Sequence, residues 1–235
     1  MIAASLRAVT RIYGEGAAAV VAVANGSFDI ADSRFTVLSG PSGSGKTTLL
    51  NLLGGLDRVT SGDLTVAGES IKAMTDDRLA DFRARHIGFV FQSFNLLPVL
   101  SAYENVEYPL VLLGASRAER RKRSLDLLNA VGLVDKAHRL PGELSGGQQQ
   151  RVAIARALVT GPSLVLADEP TANLDSASGT AIIKLMRDMQ LERQTSFVFS
   201  SHDPQVLACA DDVVVIRDGR VVEIRRAETV EGQPS

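Results

Sequence analysis

Apolar and small polar residues alternate with a period of two between Val20 and Leu38. This pattern predicts short strands at Val20–Ile30 and Arg34–Leu38, with turns at Asn25-Gly26 and Ala31-Asp32-Ser33. The first part of the chain is therefore expected to be β-rich. The run Phe35-Thr36-Val37-Leu38 passes directly into Ser39-Gly40-Pro41-Ser42-Gly43-Ser44-Gly45-Lys46-Thr47-Thr48 and then into Leu49, Leu50, Leu52 and Leu53, which predicts strand, glycine-rich loop, helix. From residue 93 to 162 two helical patterns follow with no convincing strand between them. The first opens at Ser116 with Glu119 at capping-box spacing, shows an apolar face of Leu125, Leu127, Leu128 and Val131, and stops at Gly132. The second opens at Ser145-Gly146-Gly147-Gln148, continues through Val152, Ala155, Leu158 and Val159, and stops at Gly161-Pro162.

Leu164–Ala167 and Ser196–Ser200 read as buried strands around a helix from about Ala177 to Leu191, and such alternation implies a parallel α/β sheet. Val213–Ile216 and Arg220–Ile224, joined through Asp218-Gly219, read as a closing hairpin. Only the tail from about Arg226 is expected to be disordered.

A chain of 235 residues should bury roughly 70–75% of the surface it exposes when unfolded, so neither disulfide nor structural metal is required. The single Cys209 offers no intrachain disulfide, and a reducing compartment is the simpler expectation. His86, His138 and His202 are too far apart for metal-ligand spacing. A formal net charge of -2 argues against holding nucleic acid or anionic lipid by bulk charge. Arg117, Arg120, Arg121, Lys122 and Arg123 have no aromatic residues interleaved, so they read as a solvated helix face rather than a nucleic-acid patch. The uncharged stretch from Ile87 to Tyr103 is too polar and too short to span a bilayer. The apolar segment from Ala17 to Ala24, ending in Ala22-Val23-Ala24, has no compact basic region before it and reads as a turn between strands rather than a secretory signal.

Gly40-x-x-x-x-Gly45-Lys46-Thr47 is a complete P-loop pattern, set between strand and helix as the chemistry demands. Glycines let consecutive backbone N–H groups curl round phosphate oxygens, and the following helix turns its positive end to the same anion. Lys46 adds a charge for the β and γ phosphates, and the Thr47 hydroxyl serves Mg²⁺. The buried run Leu164-Val165-Leu166-Ala167 ends in Asp168, the second element a P-loop site needs, an acid at a strand end to hold Mg²⁺, and a carboxylate at the adjacent Glu169 could orient and deprotonate an attacking water.

With Leu144-Ser145-Gly146-Gly147-Gln148 beside that P-loop, the chain from about Tyr13 to Gly219 resembles the ATP-binding cassette (ABC) ATPases, whose signature sequence this is. The resemblance implies a P-loop NTPase core with a mostly parallel sheet over residues 1–92 and 163–225. It adds an antiparallel β subdomain near the N-terminus and an inserted helical subdomain over 93–162. It implies that Tyr13 stacks on adenine and that Ser42, Gly43, Ser44, Gly45, Lys46, Thr47 and Thr48 hold the phosphates. Gln92 would be the Q-loop residue, Asn173-Leu174-Asp175 the D-loop and His202 the switch histidine. Thr47, Gln92 and Asp168 would surround Mg²⁺, and Glu169, His202, Gln92 and Lys46 would serve hydrolysis. In the family, the signature of one subunit closes over the nucleotide of another, so Ser145, Gly147, Gln148 and Asp175 would complete a composite site in an ATP-dependent homodimer.

Leu166-Ala167-Asp168-Glu169-Pro170-Thr171-Ala172-Asn173-Leu174-Asp175, Ala102-Tyr103-Glu104-Asn105-Val106, Gly54-Gly55-Leu56-Asp57 and Thr60-Ser61-Gly62 look most like the lipoprotein-releasing and macrolide-exporting branch. That branch usually has Gly where this chain has Ala172. The resemblance implies a peripheral protein on the cytoplasmic face of the inner membrane, driving an integral membrane permease subunit or a fused membrane domain whose cytoplasmic segments dock around residues 92–113. Phe94, Leu96, Leu97, Val99, Leu100 and Tyr103 suit that docking and suit packing within the helical subdomain equally. Coupling to transmembrane mechanical signalling without transport is an alternative. A soluble ABC protein acting on DNA or ribosomes is a weaker one, since this chain has neither a long coiled-coil insertion nor a second cassette.

Overall fold

The structure, a computed structural model, describes residues 1–227, with Ala17 described by its backbone alone. The strands are β1 (Ile2–Tyr13), β2 (Val20–Ala31), β3 (Phe35–Ser39), β4 (Ser61–Val66), β5 (Glu69–Ser70), β6 (Ile87–Phe91), β7 (Leu164–Asp168), β8 (Ser196–Ser200), β9 (Asp212–Arg217) and β10 (Arg220–Arg226). The helices are α1 (Lys46–Leu53), α2 (Asp76–His86), α3 (Ala102–Leu112), α4 (Arg117–Ala130), α5 (Gly146–Leu158), α6 (Ser176–Arg193) and α7 (Pro204–Ala208).

Two sheets form. An antiparallel one has the order β2-β1-β4-β5, and a six-stranded one has the order β10-β9-β3-β8-β7-β6. In the larger sheet β6, β7, β8, β3 and β9 run parallel, and β10 closes the edge antiparallel to β9. Side chains of the central strands divide by the two-residue period. Val165, Ala167, Phe197 and Phe199 face a core shared with α3, α4, α5 and α6. Leu164, Leu166 and Val198 face a second core shared with α1, α2 and the antiparallel sheet. With both faces covered, the parallel strands read as nearly continuous apolar runs.

The architecture is α/β as expected, with local corrections. Asn25-Gly26 is not a turn. β2 continues through it with an irregularity in its pairing to β1, Asn25 adopting φ 53° while its N–H donates to Thr10 Oγ1 at 3.1 Å. A short polar side chain tolerates that left-handed conformation, so the strand bulges instead of reversing. Residues 93–162 hold three α-helices rather than two. The additional one, α3, contains Pro109 and is nucleated by a full capping box: Ser101 Oγ accepts from the Glu104 N–H, and the Glu104 carboxylate accepts from the Ser101 N–H. Strand β10 reaches Arg226, so Arg226 is not part of a disordered tail, and residues 228–235 of that expected tail lie outside the described residues.

Candidate functional site

In the parallel sheet Leu38 pairs with Ser200, Ser200 with Asp168, and Asp168 with Phe91. The loops leaving β3, β8, β7 and β6 therefore emerge side by side at the carboxyl edge, where open α/β sheets bind ligands. One edge thus gathers the glycine-rich loop, Gln92, Asp168-Glu169 and Ser201-His202.

The glycine-rich loop is held from behind. A Cβ on Gly40 would stand 2.1 Å from the Ile216 carbonyl oxygen, so only glycine lets the loop lie this close to β9. A Cβ on Gly43 would meet nothing within 4 Å, which leaves the outer side of the loop open. Ser44 is buried, and its Oγ has no hydrogen-bond partner among the described residues. An unpartnered buried hydroxyl, an open cradle and the first-turn N–H groups of α1 together fit a phosphate chain. Lys46 is 6% exposed and its Nζ donates to the carbonyls of Gly40 and Pro41, both at 2.9 Å. An ammonium has three N–H groups, so one remains for an anion. Ser42, Thr47 and Thr48 stand on the same loop and first turn, Ser42 and Thr47 exposed and Thr48 half-buried.

Thr47 Oγ1 donates to Asp168 Oδ1 at 3.2 Å, and the Ser200 hydroxyl donates to the same oxygen. A hydroxyl and a carboxylate oxygen meeting at the mouth of a phosphate cradle are hard ligands suited to Mg²⁺. Glu169 follows at φ 42°, an unfavourable conformation for a residue with a side chain, with its N–H bonded to the Ser200 carbonyl at 3.1 Å. That turn brings Glu169 Oε1 to 3.5 Å from His202 Nδ1. Gln92 and Asn173 face each other, Gln92 Nε2 donating to Asn173 Oδ1 at 3.4 Å and Asn173 Nδ2 to the Gln92 carbonyl at 3.2 Å.

The start of α5 is a separate corner. Ser145 caps the helix, its Oγ accepting from the Gln148 N–H at 3.4 Å while Gln148 Oε1 accepts from the Ser145 N–H at 3.0 Å. Ser145 is exposed and the cap faces outward. Gly146 and Gly147 admit close neighbours, since a Cβ on Gly146 would lie 3.4 Å from Leu174 and one on Gly147 3.6 Å from Ser178. Asp175 caps α6 by accepting from the Ser178 N–H at 3.0 Å, and hydrogen bonding from Ser178 holds its carboxyl below the usual value.

Tyr13 stands apart. Its hydroxyl donates to Asp57 Oδ2 at 2.6 Å, and the Arg11 guanidinium lies 4.4 Å over its ring while pairing with Asp57 at 2.8 Å. Arg11 thus covers one ring face, and Tyr13 is 38% exposed. Sequence patterning does not point to Ser200 and Arg11 as partners, because their local spacing is that of ordinary strand polar residues, and Asp57 enters only within Gly54-Gly55-Leu56-Asp57, with nothing there to signal its pairing with Tyr13.

Residues 23–172 match the family described as ABC transporter. An uncharacterised ABC transporter ATP-binding protein of Thermotoga maritima is 47% identical over 224 residues, 95% of each chain. The lipoprotein-releasing system ATP-binding protein LolD of Chromohalobacter salexigens is 46% identical, covering 92% of this chain and 91% of LolD. The macrolide export ATP-binding/permease protein MacB of Hyphomonas neptunium is 45% identical over 92% of this chain, which corresponds to 34% of MacB. Among solved structures, the ATP-binding cassette MJ0796, a dimer in a post-hydrolysis state with ADP and Pi, superposes with a TM-score of 0.87 at 40% identity, covering 96% of this chain and 99% of that one.

Proposed function

The chain belongs to the ABC transporter family of ATP-binding ATPases, and from that premise we propose that it is the energy-converting subunit of a membrane permease, hydrolysing MgATP in an ATP-dependent homodimer. The observation that carries this reading is the meeting of Thr47 with Asp168 at the P-loop mouth, with Glu169 the next residue along.

In the proposed site the N–H groups of residues 43–48, the Ser44 hydroxyl and the remaining Lys46 N–H bind the β and γ phosphates. Tyr13 stacks on adenine with the ring face that Arg11 leaves open. Thr47, Asp168 and Gln92 would hold Mg²⁺, which when bound neutralises phosphate charge as it develops. The Glu169 carboxylate takes the proton of the attacking water, and His202, 3.5 Å from it, fixes its orientation and contacts the γ-phosphate.

Ser145 is exposed and Gly147 and Gln148 are half-buried, so none of the three is enclosed in its own core, and Ser145 opens a helix N-terminus, an anion site by construction. They would close on the nucleotide of a second copy beside Asp175, an arrangement consistent with the dimeric state of MJ0796. Work then comes from the different affinities of open and closed dimers for ATP and its products.

The permease side is supported by surface chemistry. Leu97, Val99, Tyr108, Val111 and Leu112 are exposed, Val99 by 82%, whereas Leu96 and Tyr103 pack on the core. Of the exposed set, Leu112 lines a groove of about 240 Å³ together with Phe91, Pro109 and Arg156. An apolar patch of this kind marks a protein interface. Among the described residues no helix is long and apolar enough to cross a membrane, so the proposed place at the inner membrane's cytoplasmic face is peripheral, through the permease. LolD and MacB point to export or extraction as the work performed. No nucleic-acid partner is expected.

Glu169→Gln tests the whole reading. ATP affinity should stay within a few-fold of wild type, turnover should fall on the order of 10²–10⁴-fold, and size-exclusion chromatography with ATP and Mg²⁺ should show a dimer. Retained turnover, or a variant that stays monomeric with ATP, would overturn it.

A further inference from the structure

Arg156 sits near the end of α5, the helix whose other end carries Ser145. Its partly buried guanidinium donates from Nη1 to the Asn95 carbonyl at 2.6 Å and from Nη2 to the Phe94 carbonyl at 2.9 Å. No described carboxylate pairs with it, and burial pulls its pKa below the usual arginine value with nothing to offset the effect. A partly buried cation satisfied only by two adjacent peptide carbonyls is an expensive arrangement, and the fork of an arginine is the one side chain that spans both.

Phe94 and Asn95 are themselves unusual, with φ of 61° and 49°, two consecutive left-handed residues that carry side chains. That conformation turns both carbonyls toward Arg156, and the guanidinium offsets its strain. The Phe94 ring reaches the opposite end of α5, where a Cβ on Gly146 would lie 3.6 Å from its tip. The segment just after Gln92 is therefore held to the end of α5 by Arg156, with the Phe94 ring lying near the helix start, and the Gln92 backbone carbonyl is fixed by Asn173 on its other side.

We propose that Arg156 is a positioning residue for Gln92: by locking the backbone of Phe94-Asn95 onto α5, it sets the direction in which the Gln92 side chain leaves β6. The inference rests on the reading of Gln92 as a Mg²⁺ ligand and goes beyond it by naming what aims that side chain.

The test is a double-mutant cycle of Arg156→Lys and Gln92→Ala, read as the Mg²⁺ concentration giving half-maximal ATP hydrolysis at saturating ATP. Lysine keeps charge and stem but cannot hold both carbonyls. Gln92→Ala should raise the Mg²⁺ requirement several-fold. Arg156→Lys should raise it at least about threefold with little change in nucleotide affinity measured without Mg²⁺, and the double variant should match Gln92→Ala alone. Multiplied effects in the double variant, or an Arg156→Lys variant with wild-type Mg²⁺ dependence, overturn the role of Arg156 while leaving that of Gln92 intact. A Gln92→Ala variant with unchanged Mg²⁺ dependence overturns both. Arg156→Gln, which keeps one amide donor, is carried through the same cycle as a second variant, with the same outcomes deciding.

Discussion

Thr47 Oγ1 lies 3.2 Å from Asp168 Oδ1, joining residues 121 positions apart in sequence at the lip of the phosphate loop. The contact depends on topology. Thr47 lies in the first turn of the helix after β3, Asp168 ends β7, and β8 lies between the two strands and sends the Ser200 hydroxyl to the same carboxylate oxygen. One oxygen of Asp168 thus accepts two hydroxyl donors, which holds the carboxylate in one orientation.

Replacing that carboxylate by an amide should separate metal handling from nucleotide binding. Asp168→Asn keeps the shape and removes the charge, so titration of hydrolysis against Mg²⁺ should shift by about tenfold or more, while ATP measured without metal binds near the wild-type level. An unchanged Mg²⁺ titration would remove Asp168 from the metal site.

Lys46 should behave in the opposite manner. A hydrogen bond to a charged group contributes about 1.5–3 kcal/mol, so Lys46→Ala should weaken ATP roughly 10- to 150-fold in a calorimetric titration, with turnover lost as well. Undiminished affinity would contradict its place in the cradle formed with Gly40 and Pro41.

The Ser145 cap has a structural duty and a proposed intersubunit one, and the two can be measured apart. Losing the cap costs about 0.5–2 kcal/mol of stability, readable in thermal or urea unfolding of Ser145→Ala. Combined with Glu169→Gln, the same change should also reduce the ATP-dependent dimer by more than that stability loss explains. A dimer of unaltered affinity would confine Ser145 to capping.

Substitutions of exposed apolar residues in the region after Gln92 should spare the chain's own chemistry. Val99→Asp and Leu112→Asp place charge on exposed positions outside the nucleotide site. ATP hydrolysis by the isolated chain should remain within about twofold, and assembly with the proposed permease partner should be lost on co-purification from detergent. Assembly that survives both changes would move the docking surface elsewhere.

Acid should act through Asp211, which pairs with Arg187 at 2.6 and 2.7 Å and accepts the Phe35 N–H at 2.8 Å. Burial pushes the Asp211 pKa up, but the Arg187 and Phe35 hydrogen bonds outweigh it and the pKa is lowered. A depressed carboxylate stabilises the fold fully above its unfolded value of about 3.9 and loses that contribution as pH falls through the lower folded value. Asp211→Asn should therefore lower stability by about 1–3 kcal/mol at neutral pH, with the deficit shrinking below about pH 4 in urea titrations. A deficit that does not change with pH would exclude ionisation as its origin.

Elements with a strong local signal are legible in the residue pattern alone. Ser116 and Ser145 announce helices through capping residues, and Leu164–Ala167 announces a buried strand through its unbroken apolar run. α2 has a capping Thr75 but only a thin apolar face, Leu79 and Phe82 being its buried residues. α3 hides behind Pro109 and the polar residues before it, although its capping box is complete. Asn25-Gly26 has the composition of a turn, and pairing with β1 overrides that preference.

Taken alone, the sequence determined the chemistry available: a glycine loop that exposes N–H groups, a lysine and a threonine beside it, two acids at the end of an apolar strand, and a serine able to open a helix. These are properties of residue type and short spacing, which covalent neighbours impose directly. Tertiary structure decided which of these groups meet. Thr47 with Asp168 and Ser200, Glu169 with His202, Gln92 with Asn173, and Arg156 with Phe94 and Asn95 are contacts between distant segments, brought together by the parallel strand order and by α5 lying across β6. Strand order is settled by the burial of both sheet faces at once, a cooperative condition on the whole chain that no short stretch contains.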